Sequence, residues 1–313
     1  MSIKKLTRVA CVTAIAGIAV FTGAFSGCTI ETKHPHVEIT IEFNEVEYDL
    51  EFQLYRNMYP QTVKHFIELA NAKFYDNTII HNYNSRDWYG GGYSFVDEET
   101  YKSAYDTAGG LEDYLIENSK EQTYYEDLFQ KGLLTPSVYK TFTENYKGDT
   151  PLSTLIGEFS ANDHEIQKGA LTSQLGALRM YYHSGKTYDG EKTSEKVWVE
   201  TTRDDEAFER DYGYNSATSM FAVQVGTSSD LTTSKYCIFG HLNSDADLEK
   251  LEELKDAIAD YIADAFADDS SDFVQTVEVA VDHYEEIADK GTDVSYSVTA
   301  KPLIVKTVKV LKY

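Results

Sequence analysis

The chain has 313 residues and a formal charge of −24, from 28 lysines and arginines against 52 aspartates and glutamates. A surface this acidic repels the phosphates of nucleic acids and of anionic lipids, so we exclude nucleic acid as a partner. The sequence contains no P-loop, HExxH, CxxC or EF-hand pattern, and we therefore predict neither a cofactor nor a bound metal. The length permits one large domain with insertions or two small domains.

The N-terminus is typical of an exported chain. Basic residues precede an uncharged stretch at positions 9–27, and Cys28 follows directly. A basic start, a short apolar core and small residues before a cleavage site are typical of a secretory signal. The sequence FSGC is similar to the lipobox of bacterial lipoproteins, although Phe25 stands where leucine is usual. The resemblance implies a signal peptide at residues 1–27, lipidation of Cys28 and an anchor on the extracytoplasmic face of the membrane. An uncleaved anchor and plain secretion are the alternatives.

The cysteines predict a folded body without disulfides. Cys11 lies within the signal and Cys28 is the predicted lipidation site, which leaves Cys237 alone in the rest of the chain. An exported chain with one remaining thiol cannot form an intramolecular disulfide, so a buried core must stabilise it. We predict a linker at residues 28–36 and a folded domain at residues 37–313.

The folded domain begins with the alternation of two β-strands. Apolar residues occupy every second position from Val37 to Phe43, and again from Val46 to Leu54. A period of two predicts strands that are buried on one face. The dipeptide at Asn44 separates the two runs, so we predict an antiparallel hairpin.

A helix is predicted after this hairpin. Pro60 is suited to a first helical turn, and Val63, Phe66 and Ile67 follow at helical spacing. We predict a helix over residues 62–72 that packs these three side chains inward. His65 is expected at the surface of this helix rather than as a ligand.

The segment from this helix onward resembles the opening of the cyclophilin-type peptidyl-prolyl isomerases. That family reads roughly P-x-T-V-x-N-F-x-x-L, then F-Y-D-G-T-x-F-H-R, then Q-G-G-D. The chain has PQTVKHFIEL from Pro60, FYDNTIIHN from Phe74 and GGG from Gly90. The interval of ten positions from His81 to Gly91 matches the family.

Further blocks follow in the family's order. They are IGEFSAND from Ile156, GALRMYY from Gly176, NSATSMFAV from Asn215, DLTTSKYCIFGHL from Asp230, and a closing strand, PLIVKTVKVL. Each motif is weak alone, but their order is specific. The resemblance implies a mostly β fold, namely an eight-stranded antiparallel barrel capped by two helices, with a proline groove on one face.

The resemblance also indicates where catalysis takes place. In the family, the residue at position 81 is a mainly structural histidine, and the arginine after it donates hydrogen bonds near the prolyl amide of the substrate. The arginine position is Asn82 in this chain. Asparagine donates without charge and with shorter reach, so it is a poor substitute. Arg86 and Arg179 are possible substitutes, although we expect both at the surface.

Most other groove positions of the family are substituted as well. Gly90 and Met220 stand at two glutamine positions, and Ala222 stands at a phenylalanine position. Tyr181 and Tyr182 replace an Ala-Asn pair that binds the substrate backbone. The residues that the resemblance predicts to bind substrate are His81, Trp88, Gly90, Tyr181, Tyr182, Met220, Ala222, Leu231 and Tyr236.

Two alternatives stay open for Trp88. The aromatic wall of the family falls on Asp87, and Trp88 fills that position if the alignment slips by one residue. The pair of Trp88 and Tyr89 is equally consistent with packing inside the barrel.

The chain is longer than a minimal cyclophilin domain, and the excess lies near residues 93–150, 184–214 and 248–297. We predict largely helical insertions, with a hairpin in the second one around KVWVETT. The first two insertions adjoin blocks that form the groove, and loops on a rigid scaffold often carry function. We expect these two to rebuild or cover the site.

Two functions are compatible with this sequence. The first is a lipid-anchored peptidyl-prolyl cis-trans isomerase that binds proline-containing segments of exported proteins and assists their folding, with weak activity because its groove is substituted. The alternative is a non-catalytic, cyclophilin-like peptide-binding or accessory lipoprotein at the cell surface.

Overall fold

The structure is a computed structural model, and it describes residues 33–120, 158, 171–180, 220–227, 237–281 and 292–313. It also gives the backbone of short strands between residues 139 and 215. The strands are β1 (His36–Phe43), β2 (Val46–Leu54), β3 (Thr78–Ile79), β4 (Asn82–Tyr83), β5 (Asp87–Gly90), β6 (Tyr139–Thr143), β7 (Ala177–Met180), β8 (His183–Ser184), β9 (Thr187–Tyr188), β10 (Glu191–Lys192), β11 (Glu195–Thr201), β12 (Ala207–Tyr212), β13 (Tyr214–Asn215), β14 (Phe221–Gln224), β15 (Ile238–Leu242), β16 (Val274–Val281), β17 (Thr292–Thr299) and β18 (Ile304–Lys312).

Four α-helices accompany these strands in the described parts of the chain. They are α1 (Pro60–Asn71), α2 (Glu98–Tyr105), α3 (Gly110–Glu117) and α4 (Asp245–Ala265). Among the described residues, none of the helices combines the length and apolar character that crossing a bilayer requires.

Nine strands form one curled antiparallel sheet in the order β3-β18-β1-β2-β15-β7-β14-β5-β4. The two edge strands, β3 and β4, are separated in sequence by only Ile80 and His81. This short link draws the two edges towards each other, so the sheet curls into a half-barrel. The predicted mostly β, antiparallel fold is confirmed. The sheet has nine strands rather than eight because residues 78–83 contribute a short strand to each edge.

The first hairpin forms as its sequence predicts. β1 and β2 pair along their full length, from His36 opposite Gln53 to Phe43 opposite Val46. The turn residues Asn44 and Glu45 have φ angles of 49° and 67°. Positive φ at both central residues is typical of the two-residue turns that match the twist of paired strands.

Helix α1 packs inward as predicted, with Val63, Phe66 and Ile67 at most 1% exposed. Its first turn is satisfied from far along the chain, because the carboxylate of Glu158 accepts hydrogen bonds from the backbone N–H groups of Gln61 and Thr62 at 3.1 and 2.8 Å. This contact gives the glutamate of the IGEF block a structural role as a helix cap.

The surface position expected for His65 is wrong, because this side chain is 1% exposed. Most of the circumference of α1 is buried: Thr62, Val63, His65, Phe66, Ile67, Leu69 and Ala70. A helix enclosed to this extent has little surface on which a histidine can reach water.

The first and third insertions join in a second hydrophobic core. Helices α2 and α3 pack with the hairpin of β16 and β17, and the buried side chains are Ile79, Tyr93, Tyr101, Tyr105, Leu111, Tyr114, Leu115, Val277, Val279, Tyr296 and Val298. Two tyrosine hydroxyls tie the parts together, since Tyr101 donates to the Thr299 carbonyl at 2.7 Å and Tyr105 to the Asp272 carbonyl at 2.6 Å.

The insertions are less helical than predicted. The hairpin expected in the second insertion is confirmed, with β11 and β12 paired from Glu195 opposite Tyr212 to Glu200 opposite Ala207. β6 of the first insertion pairs with the other edge of β11. The third insertion contributes the β16–β17 hairpin in addition to α4. Alternating apolar residues in VQTVEVAV favour a strand there.

Candidate active site

The candidate site lies on one face of the sheet, across four neighbouring strands. Asn82 of β4 is opposite Tyr89 of β5, Tyr89 is opposite Ala222 of β14, and Ala222 is opposite Arg179 of β7. Directly opposite residues of an antiparallel sheet place their side chains on the same face. We call this row, together with Asp87 and its partner Gln224, the groove face.

Trp88 belongs to the opposite face of the same strands. It pairs with Val223, is 2% exposed and lies in the main hydrophobic core. Its ring stacks on Tyr83 with 5.6 Å between centroids. This is the barrel packing that the sequence left open, and the indole offers no surface to a ligand in the groove.

Neither Gly90 nor Met220 offers a polar side chain to the groove face. A Cβ atom on Gly90 would lie 3.0 Å from Ile80 Cδ1 and 3.3 Å from Phe221 Cζ, so this position faces the core. A glutamine there would have to displace core side chains. Met220 is fully buried. The two positions at which the family has glutamines therefore supply no polar group to the groove face.

A buried ion pair occupies the middle of the groove face. Arg179 and Asp87 are 2% and 0% exposed, and Arg179 Nη2 lies 2.7 Å from Asp87 Oδ2. The same nitrogen donates to the Tyr89 hydroxyl at 2.7 Å. The guanidinium extends from β7 past Ala222 on β14 towards β5, and the small alanine side chain leaves room for it. The surface position expected for Arg179 is therefore wrong.

The charges of this cluster hold one another in place. Burial disfavours the charged guanidinium, but the neighbouring Tyr89 and Asp87 outweigh it and raise the pKa of Arg179 above its usual value. Burial also raises the pKa of Tyr89, although the nearby Arg179 opposes the rise. Tyr89 is therefore a neutral phenol at physiological pH. The Arg179 guanidinium is therefore held by a carboxylate and a phenol of its own chain.

Arg86 reaches the same carboxylate from the turn between β4 and β5. Its Nε donates to Asp87 Oδ2 at 3.0 Å, and its side chain is 41% exposed. Asn84 shapes the turn, because its Oδ1 accepts from the backbone N–H groups of Arg86 and Asp87. Asp87 lies two residues from Tyr89, which is about 7 Å along a strand. Arg86 thus sits at the far end of the groove face from the row that contains Asn82.

The arginine position is occupied by a contact within the chain. Asn82 Oδ1 accepts a hydrogen bond of 3.0 Å from the backbone N–H of Ser297 on β17. The β16–β17 hairpin thus lies against this end of the groove face. The sequence predicts that the first two insertions rebuild or cover the site, whereas the contact with Asn82 comes from the third.

His81 is enclosed beside this contact. It is 1% exposed, and its ring centroid lies 4.8 Å from that of Tyr93 and 4.9 Å from that of Tyr296. Burial lowers the pKa of His81 to about 3. The side chain is a neutral packing group in the second core, in keeping with the structural role that the resemblance implied, and it does not reach the groove face.

Five of the predicted residues lie outside the described part of the chain, namely Cys28, Tyr181, Tyr182, Leu231 and Tyr236. The sequence does not single out Ser297, and it indicates Tyr89 only as one of a pair with Trp88. Tyr89 could have been found by alternation, since it follows Asp87 by two positions on one strand. No local signal indicates Ser297, because its contribution comes from its backbone.

The groove face can offer hydrogen bonds but little apolar surface. It contains two guanidinium groups paired with one carboxylate, a phenol and Ala222. The bulky apolar side chains of these strands face the core. Among the described residues, no group of three or more histidine, cysteine, aspartate or glutamate side chains is placed to hold a metal ion.

Comparison with known proteins identifies a family. Residues 37–279 match the family model of the cyclophilin type peptidyl-prolyl cis-trans isomerase/CLD. No curated protein matches the sequence.

Similar solved structures include the cyclophilin type isomerase of Cryptosporidium parvum, with 14% identity, a TM-score of 0.39 and coverage of 90% of this chain and 99% of that one. The same isomerase in the presence of the dipeptide Ala-Pro has 15% identity and a TM-score of 0.38, with coverage of 89% and 99%. The Mimivirus cyclophilin has 12% identity and a TM-score of 0.32, with coverage of 71% and 78%. At these TM-scores the structural likeness carries no argument, and the assignment rests on the family model.

Proposed function

Because the chain belongs to the cyclophilin-type peptidyl-prolyl cis-trans isomerase family, we propose that it binds proline-containing segments of exported proteins and isomerises them weakly. One observation carries the weak activity. The side chain at the arginine position, Asn82, is hydrogen-bonded to Ser297 of the same chain.

Catalysis of this reaction depends on donors that are fixed before the substrate arrives. The barrier to rotation about a prolyl amide is about 20 kcal/mol, and it falls when donors favour the twisted amide. In the family resemblance, an arginine supplies them. Asn82 has one uncharged amide donor group, and its carbonyl already holds the hairpin. Losing one preorganised donor typically costs roughly 10²–10³ in rate.

The pocket for the proline ring is altered too. Binding of a proline ring depends on apolar contact surface, and the resemblance places an aromatic wall at Asp87 and a phenylalanine at Ala222. The structure has a buried carboxylate and its paired guanidinium there. A proline ring would gain little apolar contact there, because charged side chains fill the positions at which the resemblance places aromatic ones.

We further propose that the protein acts at the extracytoplasmic face of the membrane, anchored through a lipid on Cys28. The basic start, the short apolar core and the FSGC sequence support this proposal. A lipidated N-terminal cysteine with several acyl chains provides stable attachment. In a Cys28→Ser variant, the protein should leave the membrane fraction or keep its signal. Attachment that persists after signal removal would contradict the lipid anchor.

The alternative of a non-catalytic peptide-binding lipoprotein is favoured by the commitment of Arg179 to Asp87 and Tyr89. A guanidinium held by two partners of its own chain has less to offer a moving amide. The protein could then bind a peptide without catalysing isomerisation, because an extended peptide can bind by its backbone while its prolyl amide stays planar.

The test is a cis/trans isomerisation assay on the protein beginning at residue 28, with standard proline peptides and an ordinary cyclophilin as the control. We expect the isomerisation rate to be at least about 100-fold lower than that of the control. Calorimetry measures binding of the same peptides. Activity within about tenfold of the control would contradict the weak groove. Binding without measurable isomerisation would favour the alternative.

A further inference from the structure

We propose that Asn82 is a positioning residue whose side chain holds the β16–β17 hairpin across the arginine end of the groove face. The hydrogen bond from the Ser297 N–H to Asn82 Oδ1, at 3.0 Å, joins the third insertion directly to strand β4. The proposal does not depend on whether the groove isomerises proline, since it concerns how the chain contacts itself.

The bond satisfies an open edge of the hairpin. Strand β17 pairs with β16 on one side, where Ser297 is opposite Thr276. In an antiparallel pair, alternate residues direct their N–H groups away from the partner strand. The Ser297 N–H is one of these, because it is donated to Asn82 instead of β16. A half-buried amide needs an acceptor, and the asparagine carbonyl provides one.

Arginine could not fill this role. A guanidinium has donors and no acceptor, so at position 82 it would face the Ser297 N–H with another donor. The loss of the family arginine and the docking of the hairpin are therefore two aspects of one change. Asparagine at this position serves the inserted hairpin rather than a bound peptide.

A second contact fixes the hairpin at the adjacent position. The Tyr296 ring, next to Ser297 in sequence, packs against His81, the neighbour of Asn82, with 4.9 Å between ring centroids. Two consecutive residues of β17 thus meet two consecutive residues of the sheet. The β17 backbone therefore lies beside Asn82, and the hairpin is a fixed wall at this end of the groove face.

Amide hydrogen exchange of the folded protein tests this role. Asn82→Ala and Ser297→Pro remove the same bond from its two sides, and proline is tolerated where the N–H points away from the partner strand. In both variants, we expect the amides of Tyr296 and Val298, which face β16, to exchange at least about tenfold faster, as expected for loss of a bond of this kind. The amides of β1 and β2 should keep their protection.

Two further variants separate positioning from general stability. Asn82→Asp keeps an oxygen acceptor, and we expect hairpin protection within about threefold of the wild type. Asn82→Arg restores the family residue but lacks the acceptor, so it should behave like Asn82→Ala. Ser295→Ala is the matched control, because it trims a side chain of the same strand and leaves the Asn82 bond intact.

The outcomes decide as follows. Unchanged exchange of the Tyr296 and Val298 amides in both Asn82→Ala and Ser297→Pro would overturn the proposal. An equal loss of protection in β1 and β2 would also overturn it, since Asn82 would then stabilise the whole fold. If Asn82→Ala does not fold, Ser297→Pro and Asn82→Asp still distinguish the two cases.

Discussion

The two faces of strands β5, β7 and β14 differ in what they require. The core face carries Trp88, Val223 and Leu178, which pack against one another and need only apolar neighbours. The groove face carries Arg179, Asp87 and Tyr89, which are stable only as a matched set. An apolar face tolerates any neighbour of suitable volume, whereas a buried polar face must satisfy each charge and donor. The same sheet can therefore accept substitutions on its core face more readily than on its groove face.

The largest effect is expected in the main hydrophobic core, which the core face shares with helix α1. Phe66→Ala removes a fully buried ring that contacts Tyr75, Phe221 and Phe239, with centroids 5.1 to 5.7 Å away. We expect the free energy of unfolding in urea to fall by about 3–5 kcal/mol. Val46→Ala is the control, because Val46 is 52% exposed and should change stability by at most about 0.5 kcal/mol. A similar small loss for Phe66→Ala would contradict the packing described.

The second effect is expected on the groove face. Asp87→Asn leaves the Arg179 guanidinium buried without its carboxylate, and the free energy of unfolding should fall by about 3 kcal/mol. Lys64→Met breaks a partly exposed pair with Glu68 and should cost less than about 1 kcal/mol.

Replacing both members of the buried pair sharpens the comparison between the two faces. Because apolar residues can take the place of a buried ion pair, Asp87→Leu combined with Arg179→Met should recover most of the stability lost in Asp87→Asn. Urea unfolding of the single and double variants measures the recovery. A double variant that is less stable than Asp87→Asn would show that apolar residues cannot replace the ion pair at these positions.

The third effect depends on pH. Burial lowers the pKa of His81 to about 3, whereas an unfolded histidine titrates near 6.5. As the pH falls below 6.5, His81 binds a proton in the unfolded chain but not in the folded chain, so the folded state loses stability. Between pH 6.5 and 4.5 the loss from this group should be about 2–3 kcal/mol. Unfolding of the wild type and of His81→Phe at both pH values measures it, and equal pH dependence in the two would contradict it.

The smallest effect concerns the link between the first and third insertions. Tyr101→Phe removes the hydroxyl that donates to the Thr299 carbonyl at 2.7 Å, while the ring can stay in the second core. We expect a loss of about 1 kcal/mol in the free energy of unfolding. Tyr101→Leu, which also removes ring packing, should cost more. A Phe variant as unstable as the Leu variant would indicate that packing was disturbed.

The part of the main hydrophobic core that β1, β2 and α1 contribute could be predicted because its signal is local. Alternation from Val37 to Leu54 and helical spacing after Pro60 fix which side chains turn inward. His65 was misplaced because a helix of this pattern is usually half exposed, and spacing does not reveal what packs on its polar side. The contact of Glu158 with the first turn of α1 is one such covering element.

The groove face is harder to predict from the sequence, because its interacting side chains come from separate segments of the chain. Arg179 carries no local sign of burial, since its partner Asp87 lies on another strand. The family resemblance located the substituted positions, and it could not show that Arg179 fills the space left by Ala222. The contact of Asn82 is even harder to predict from the sequence, because its donor is the backbone N–H of Ser297, a group present in almost every residue.

The pairing of β1 with β18 has a consequence for the time course of folding. His36 lies opposite Lys312, and these two neighbouring strands thus come from opposite ends of the folded domain. Local hairpins such as β1–β2 can form within microseconds, but this pair must wait until the distant segment has arrived. Topologies rich in such long-range pairs fold slowly, and their edges stay exposed meanwhile. Until β18 has arrived, the edge of β1 stays unpaired and is open to pairing with another chain.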